Sequence, residues 1–408
     1  MEYDLASTHR WMIRDSARTD AFRQAIAAVV KPGDVVLDVG AGSGILSMFA
    51  AKAGARMVYA VEQTEIAALA AQLVQKNGLS DRVQILQTDV QTLVLPEQAD
   101  VIISEWLGTI GVDENLLGMV LVARDRWLKP GGTMVPARVT AKMAPAHIPM
   151  RPEVAFFHQR PYGLDLTPLS EPSIHELLCL RRKVRREDLA AAASELWVTD
   201  MATVPSEQAY LPFRAKVRFT IPCDTPVNTL AAWFEADMTN GLTLSNAPEA
   251  PETHWGQLLL PLRQEIALQE NDVLEVWMTC IPAGPCTTSL AWSVRRNDEA
   301  WEHHDTRIVA GGYASHDELQ FMNINGVDSM EQLPHSDLTK FLARLAIDPD
   351  YLRDFIMDPN QVLTGAKLPK AEYSALISRN AAQIQSALYK YETPPEPPGA
   401  AEAQGEKE

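Results

Sequence analysis

The sequence Asp-Val-Val-Leu-Asp-Val-Gly-Ala-Gly-Ser-Gly, residues 34–44, decides the fold of the first part of the chain. Its apolar run from Val35 to Leu37 is typical of a buried parallel strand. Three glycines follow at alternate positions: Gly40, Gly42 and Gly44. Residues 45–53 then predict a helix. A strand, a glycine turn and a helix together form a nucleotide-cofactor site, because the turn lets a ligand approach the backbone and the helix N-terminus presents free N–H groups.

Apolar segments predict three more strands of the same sheet: residues 57–61, 83–86 and 100–105. Glu62 stands at the tip of the second strand, where an acidic side chain can accept hydrogen bonds from both hydroxyls of a ribose. Asp89 and Val90 follow the third strand, and Glu105 ends the fourth. Ligands bind at the carboxyl ends of strands in open α/β sheets, so these residues are candidate contacts. The glycines alone leave both a dinucleotide and S-adenosylmethionine open as the cofactor.

Composition bounds the class of protein. The 408 residues are enough for two or three domains, and 46% hydrophobic with 22% charged residues is ordinary for a soluble globular chain. The absence of a long apolar run and of a signal-peptide core predicts a cytoplasmic location. The four cysteines form no CxxC pair, which indicates neither a zinc site nor a disulfide framework. A net charge of −17 argues against nucleic acid as a partner and favours cationic ligands.

Two polar patterns flank the glycine stretch. Before it, residues 4–29 predict one helix on which four side chains recur every three residues. They are His9, Met12, Asp15 and Arg18. An arginine there is able to reach a carboxylate held by the glycine loop; the alternative is a solvated helix face.

After the fourth strand, Glu105 and Glu114 are separated by a loop that contains Gly108 and Gly111. Such a loop can fold back as a hairpin, which brings both carboxylates together at the ligand-binding edge of the sheet. Trp106 would add an apolar wall. The alternative is a pair of solvated acids on a surface loop.

Taken together, four separated motifs resemble the protein arginine N-methyltransferase family in order and spacing. They are the glycine stretch from Asp38, Ser104-Glu-Trp-Leu-Gly with the second acid at Glu114, Thr253-His-Trp, and the pattern His9, Met12, Asp15, Arg18. The resemblance covers about residues 3–295. It implies S-adenosylmethionine as methyl donor, S-adenosylhomocysteine as its product and an arginine guanidinium as acceptor, and it replaces the dinucleotide alternative.

The resemblance also implies catalytic roles. Glu105 and Glu114 would clasp the flat guanidinium and leave its attacking nitrogen richer in electrons. His254 is implied to lie beside these acids with Asp15 as its partner, a dyad that can pass on the proton lost after transfer. The alternative for His254 is that it only ties the second domain to the first.

Cofactor contacts are implied in the same way. Arg18 is assigned to the methionine carboxylate, Asp38 to the glycine turn near the amino group, and Glu62 to the ribose hydroxyls. Met12 would line the methyl pocket. The remaining implied cofactor positions are His9, Gly40, Gly42, Gly44, Asp89, Val90 and Gln91. Trp106 and Trp255 are implied as substrate contacts.

The predicted fold class is α/β, in three domains and a tail. Residues 1–136 form a Rossmann-like cofactor domain after the N-terminal helix. Period-two alternation from residue 137 to about residue 296 predicts an antiparallel β-barrel, whose domain is placed at residues 137–325. The resemblance implies a helical dimerisation arm at about 156–190 and hence a homodimer. Residues 336–391 predict a small helical domain. It is either an extra bundle that stabilises a dimer or forms a lid, or a module that recruits a peptide or partner enzyme. Residues 392–408, rich in Pro, Ala and Glu, are predicted to be disordered.

Three functions follow as alternatives. The first is methylation of an arginine in a protein or peptide. The second is methylation of free arginine or a guanidino metabolite, and the third is a non-catalytic scaffold that binds the cofactor. Thr109 stands where the family usually has an aromatic residue, and Leu116 where methionine is common. These departures leave the substrate and the degree of methylation open.

Overall fold

The computed structural model describes residues 5–148, 156–170, 178–180, 184–239, 241–284, 286–306, 338, 341, 342, 351, 355 and 359–377. Two helices begin the chain, α1 (Ala6–Arg14) and α2 (Ser16–Val29). The sequence predicted one helix here, and the prediction is wrong at Asp15. This residue has an extended backbone, and its carboxylate accepts a hydrogen bond from the Arg18 N–H at 3.0 Å, which caps the second helix.

A five-stranded parallel sheet follows. Its strands are β1 (Val35–Val39), β2 (Met57–Glu62), β3 (Val83–Gln87), β4 (Ala99–Ile103) and β5 (Leu128–Val135). They lie in the order β3-β2-β1-β4-β5, and the helices α3 (Ile45–Ala53), α4 (Ile66–Lys76) and α5 (Leu117–Trp127) connect them. All five residues of β1 are buried, as a central parallel strand requires. The predicted Rossmann-like sheet is confirmed, and its order switches direction at β1, where such folds bind ligands.

The last strand of this sheet differs from the sequence prediction. A helix was predicted up to the segment Lys129-Pro-Gly-Gly, with a return strand starting at Thr133. In the structure β5 begins at Leu128, runs through that segment and pairs parallel to β4. Pro130 is tolerated because β5 lies at the edge of the sheet, where one side of the strand has no ladder partner.

Two antiparallel sheets make up the following part of the chain. One has the order β7-β12-β10-β6-β8 with β11 paired to β10, and the other has the order β15-β14-β13-β9. The strands are β6 (Arg138–Ala146), β7 (Leu178–Leu180), β8 (Ser194–Asp200), β9 (Phe213–Thr220), β10 (Thr225–Thr239), β11 (Leu242–Ser245), β12 (Gln257–Leu268), β13 (Val273–Gly284), β14 (Thr287–Arg296) and β15 (Glu302–Asp305). Along β9 every second residue is buried, which is the period-two pattern predicted from the sequence. The predicted antiparallel strands are confirmed.

The predicted dimerisation arm, residues 156–190, has little regular helix in its described part. It contains single 3-10 turns at Pro161–Gly163, Thr167–Leu169 and Arg186–Asp188. Between them β7 pairs antiparallel to β12, so this part of the arm is a strand. The prediction of helical character through about Leu189 is therefore wrong at β7.

Toward the C-terminus the described residues are helical. They include α6 (Pro359–Ala366) and α7 (Lys370–Ile377). Leu338, Phe341 and Leu363 are buried together, with the Phe341 and Phe355 rings 5.7 Å apart. The predicted disordered tail, residues 392–408, lies outside the described residues. Within the described ranges, every helix falls short of the length and apolar character that a membrane span requires.

Candidate active site

A cavity of about 740 Å³ opens at the carboxyl ends of β1, β2 and β4 and is bordered by residues of the antiparallel sheets. Its size is within the range of cofactor and ligand pockets. Most of the predicted site residues line it. They are His9, Met12, Arg18, Gly40, Gly42, Glu62, Asp89, Val90, Gln91, Glu105, Glu114, His254 and Trp255.

Four predicted site residues are not part of the cavity wall. Asp15 contacts the Nδ1 of His254, and Asp38, at the end of β1, is buried. Gly44 caps the start of α3 with a left-handed backbone (φ 75°). Trp106 was predicted to form an apolar wall of the substrate site, but it lies in the hydrophobic core with 1% of its surface exposed. Burial of this large apolar ring is more favourable than its exposure to a polar cavity.

The glycine turn follows β1 closely and needs glycine for a steric reason. The N–H groups of Gly40 and Ala41 both donate to the Val61 carbonyl at 2.9 Å, which ties the turn to β2. Gly42 has φ 53°, and a Cβ atom there would lie 2.8 Å from the His9 ring. His9 therefore packs directly on the turn, and α1 closes one side of the cavity.

Glu62 is held in place by hydrogen bonds to its carboxylate. One oxygen accepts from the Gly42 N–H at 2.9 Å, and the other accepts from the Thr64 N–H at 2.8 Å and from its hydroxyl at 2.7 Å. The side chain is almost buried but reaches the cavity. A carboxylate has further lone pairs, so Glu62 remains able to accept hydrogen bonds from a ligand.

Asp38 is a buried acid with an unused acceptor. Ser47 donates its hydroxyl proton to Oδ2 at 2.5 Å, whereas Oδ1 has no hydrogen-bond partner within the described part of the chain. Burial is the main reason that the pKa of Asp38 is raised to about 6. A cationic group placed beside Oδ1 would satisfy the acceptor and favour the charged form, as the amino group of a methionine moiety would do.

The raised pKa of Asp38 predicts a pH dependence. The unfolded chain loses this proton near pH 4 and the folded chain near pH 6, so the Asp38 contribution to stability decreases as pH rises through that window. We expect Asp38→Asn to raise the thermal midpoint of the ligand-free protein more at pH 8 than at pH 5. Thermal unfolding at both pH values measures this, with Asp34→Asn at the turn before β1 as control. An equal effect of Asp38→Asn at both pH values would contradict the assignment.

The two predicted acids lie on one loop that is closed as the sequence predicted. Gly108 and Gly111 exchange two backbone hydrogen bonds, at 3.0 and 3.2 Å, and form an isolated antiparallel bridge. Glu105 and Glu114, on either side of this bridge, both line the cavity. The Leu107 N–H donates to Oε1 of Glu105 at 3.0 Å. The loop thus presents two carboxylates to the same space.

Arg18 binds Glu105 in this structure. Its Nε and Nη2 donate to Oε2 of Glu105 at 3.0 and 2.6 Å. Only 6% and 11% of the two side chains are exposed, so the ion pair is largely shielded from water. Separate roles were predicted for Arg18 and Glu105, and the structure adds a direct contact between them.

His254 and Asp15 are in contact, as the family resemblance implied. The Nδ1 of His254 lies 2.7 Å from Oδ2 of Asp15, and the backbone N–H of His254 donates to the same oxygen at 2.8 Å. Burial acts to raise the pKa of Asp15, but the hydrogen bonds from His254 and Arg18 outweigh it and lower this pKa. The His254 ring contacts the rings of Trp11 and Trp255, whose centroids are 4.9 and 4.1 Å away. Asp15 therefore fixes both the position and the orientation of the imidazole.

Comparisons with known proteins agree with this geometry. The family model described as "Arginine methyltransferase oligomerization subdomain" matches residues 145–295, and "Ribosomal protein L11 methyltransferase (PrmA)" matches residues 18–135. Protein arginine N-methyltransferase 6 of Danio rerio is 33% identical over 297 residues, which is 69% of this chain and 83% of that protein. The chain belongs to the protein arginine N-methyltransferase family.

Other members of this family give the same result. The probable protein arginine N-methyltransferase 6 of Arabidopsis thaliana is 32% identical over 322 residues, covering 67% of this chain and 72% of that protein. Among solved structures, the Trypanosoma brucei PRMT1 enzyme–prozyme heterotetrameric complex with AdoHcy has a TM-score of 0.69 at 28% identity. It covers 75% of this chain and 99% of its own. Arabidopsis thaliana protein arginine methyltransferase 10 gives 0.66 at 25% identity, with 74% and 99% covered.

Sequence reasoning missed one wall of the cavity. This wall is formed by Tyr210, Pro212, Ile281, Pro282, Cys286 and Leu342. These residues form no motif and are up to 132 positions apart along the chain, so no spacing signal marks them. They meet only because the antiparallel sheets and the C-terminal helical residues approach the parallel sheet.

Proposed function

We propose that Glu105 and Glu114 hold a substrate guanidinium in the cavity while its nitrogen attacks a methyl group. As a member of its family, the chain is an S-adenosylmethionine-dependent arginine N-methyltransferase. The observation that carries the residue assignment is that both acids line the same cavity as the glycine turn and Glu62. An acidic pair facing a nucleoside-type site suits a reaction between a flat cation and a nucleoside cofactor.

The residues around the cavity fit the cofactor. Glu62 would accept hydrogen bonds from the ribose hydroxyls, and Arg18 would bind the carboxylate of the methionine part. Asp38 has a buried unused oxygen suited to the amino group. When bound, S-adenosylmethionine supplies an activated methyl group on a sulfonium. Met12 lines the cavity and would pack against that region with its polarizable side chain.

The acid pair addresses the low reactivity of guanidinium. This group is a poor nucleophile because its lone pairs are delocalised and its pKa is above about 12. Two fixed carboxylates can bind the nitrogens that do not react and draw positive charge toward them. The reacting nitrogen then keeps more electron density. Glu105 is prepared for this by its bonds to Arg18 and to the Leu107 N–H.

His254 would take part after transfer. It lines the cavity while Asp15 holds its ring from behind. An imidazole kept in one orientation by a carboxylate is suited to accept the proton that the methylated guanidinium releases. Trp255 fixes the neighbouring loop, because its indole N–H donates to the Leu107 carbonyl at 2.8 Å.

We also propose the finer organisation that the sequence predicted. The two antiparallel sheets would form one barrel, which the apolar core they share supports. The homodimer is supported by the oligomerization subdomain matched at residues 145–295. Leu342, from the C-terminal helical residues, lines the cavity. A C-terminal helical domain at this place would border the entrance and contact a peptide substrate.

The activity is tested with labelled S-adenosylmethionine and three acceptors: a peptide that contains arginine, the same peptide with lysine in its place, and free arginine. We expect label on the arginine peptide only, with the product identified by mass spectrometry. Label on free arginine alone would overturn the protein or peptide substrate. Tight cofactor binding in calorimetry without any methylated product would support the scaffold alternative.

A further inference from the structure

Asp113 precedes Glu114, and its carboxylate turns inward beneath the acid loop. Its Oδ1 accepts from the Ile110 N–H at 2.8 Å, and its Oδ2 accepts from the Thr109 N–H at 3.1 Å. Asp113 is absent from the wall of the cavity. Its carboxylate therefore binds the loop itself. The two hydrogen bonds that it accepts close the same turn as the backbone bridge between Gly108 and Gly111.

The loop is shaped around this carboxylate. A Cβ atom added to Gly108 would collide with Asp113, since both carboxylate oxygens lie against the glycine. Gly111 has φ 90°, and a Cβ there would lie 2.8 Å from Val139. The turn between the two acids is therefore packed on both faces, by Asp113 on one side and by the antiparallel sheets on the other.

Backbone anchors fix the loop on either side of Glu114. The Thr288 hydroxyl, on β14, donates to the Asp113 carbonyl at 2.6 Å. On the other side Asn115 has a left-handed backbone (φ 53°), a conformation that asparagine tolerates well, and its N–H donates to the Val112 carbonyl at 3.1 Å. Glu114 thus stands between two residues whose backbones are held.

Asp113 is half-buried, and its carboxylate is partly shielded from water. Burial raises the pKa of Asp113, against the effect of its two backbone hydrogen bonds. The neighbouring Cys280 thiol, on β13, also has a raised pKa, because of its burial and then because of the negative charge on Asp113. Within the described part of the chain, the hydrogen bonds that the Asp113 carboxylate accepts come from backbone N–H groups of the acid loop.

We propose that Asp113 is the positioning residue that aims Glu114 at the substrate guanidinium: its carboxylate closes the acid loop through the Thr109 and Ile110 N–H groups, while Thr288 of β14 holds its backbone carbonyl. This inference rests on the proposed role of Glu114. In it, Asp113 touches neither substrate nor cofactor. Loss of its two hydrogen bonds lets the loop move, and a displacement of about 1 Å at a catalytic group can cost about 10²-fold in rate.

Asp113→Asn is the sharpest variant, because asparagine keeps the size but has one acceptor oxygen and an NH2 group that would face a backbone N–H. We expect kcat for the arginine peptide to decrease by about 10- to 100-fold. The dissociation constant of S-adenosylmethionine, measured by calorimetry, should stay within about twofold, since the Asp113 carboxylate binds the loop and is absent from the cavity wall. Asp34→Asn, at another carboxylate that closes a turn (the Lys31 N–H donates to its Oδ2 at 2.8 Å), is the control for the loss of a charge. Asparagine keeps an acceptor for that single bond, so this variant should keep the wild-type rate.

The double variant Asp113→Asn/Glu114→Gln separates positioning from general stability. If Asp113 acts through Glu114, adding Asp113→Asn to Glu114→Gln lowers kcat by less than about twofold further. A decrease equal to the product of the single effects overturns the proposal, and so does a wild-type kcat in Asp113→Asn. If Asp113→Asn does not fold, Thr288→Val removes the other anchor, is expected to show the same non-additivity, and is judged by the same outcomes. Full activity in Glu114→Gln alone would instead refute the proposed function.

Discussion

Glu114→Gln will lower kcat for arginine methylation by about 10²- to 10³-fold, the loss typical of a preorganised electrostatic group. Glutamine keeps the shape and one acceptor but removes the negative charge that draws positive charge away from the attacking nitrogen. Because none of the proposed cofactor contacts involves Glu114, the affinity for S-adenosylmethionine should change by less than about twofold. Single-turnover transfer of labelled methyl to an arginine peptide, with calorimetry for the cofactor, measures both quantities.

The matched control is Glu249→Gln, at a glutamate whose side chain is 53% exposed and which is not part of the cavity wall. It removes the same charge from the protein and should leave the rate unchanged. A rate in Glu114→Gln close to that of Glu249→Gln would remove Glu114 from the mechanism. A parallel loss of cofactor affinity would instead assign it to cofactor binding.

The residues of the candidate site whose positions could be predicted from the sequence are those that directly follow a strand along the chain. The glycine turn after β1 and Glu62 at the end of β2 are local: the strand places them, and the carboxyl edge of a parallel sheet brings them together. The acid loop is local too. Gly108 and Gly111 close it by their own backbone bonds, so the hairpin follows from ten residues of sequence, whereas its anchor at Thr288 does not.

What the sequence could not show depends on packing between distant segments. Arg18 and Glu105 are 87 positions apart, and their contact requires α2 to lie against the end of β4. The sequence around Trp106 does not distinguish it from the residues of the acid loop that face the cavity, yet Trp106 is buried in the core. Asp113 is similar, because an aspartate in a glycine loop is usually solvated and only the surrounding sheets make it an inward anchor.

Arg18→Ala is expected to affect both stability and cofactor binding. Breaking a largely buried ion pair leaves Glu105 without its partner, which typically costs about 3–5 kcal/mol of folding free energy. Loss of charged hydrogen bonds to the cofactor carboxylate, each about 1.5–3 kcal/mol, should weaken S-adenosylmethionine binding by roughly 10- to 100-fold. Thermal unfolding and calorimetry at one pH measure the two effects separately.

Two further variants divide these effects by their physical cause. Arg18→Lys keeps the positive charge but loses the planar guanidinium fork. We expect it to be less destabilised than Arg18→Ala, while its affinity for the cofactor still decreases. Adding Glu105→Gln to Arg18→Ala removes the unpaired buried charge, and the thermal midpoint should recover in part although methyl transfer does not. If Arg18→Ala binds S-adenosylmethionine as tightly as the wild type, the arginine serves only as the partner of Glu105. If the double variant recovers no stability, the unpaired charge of Glu105 is not the cause of the loss in Arg18→Ala.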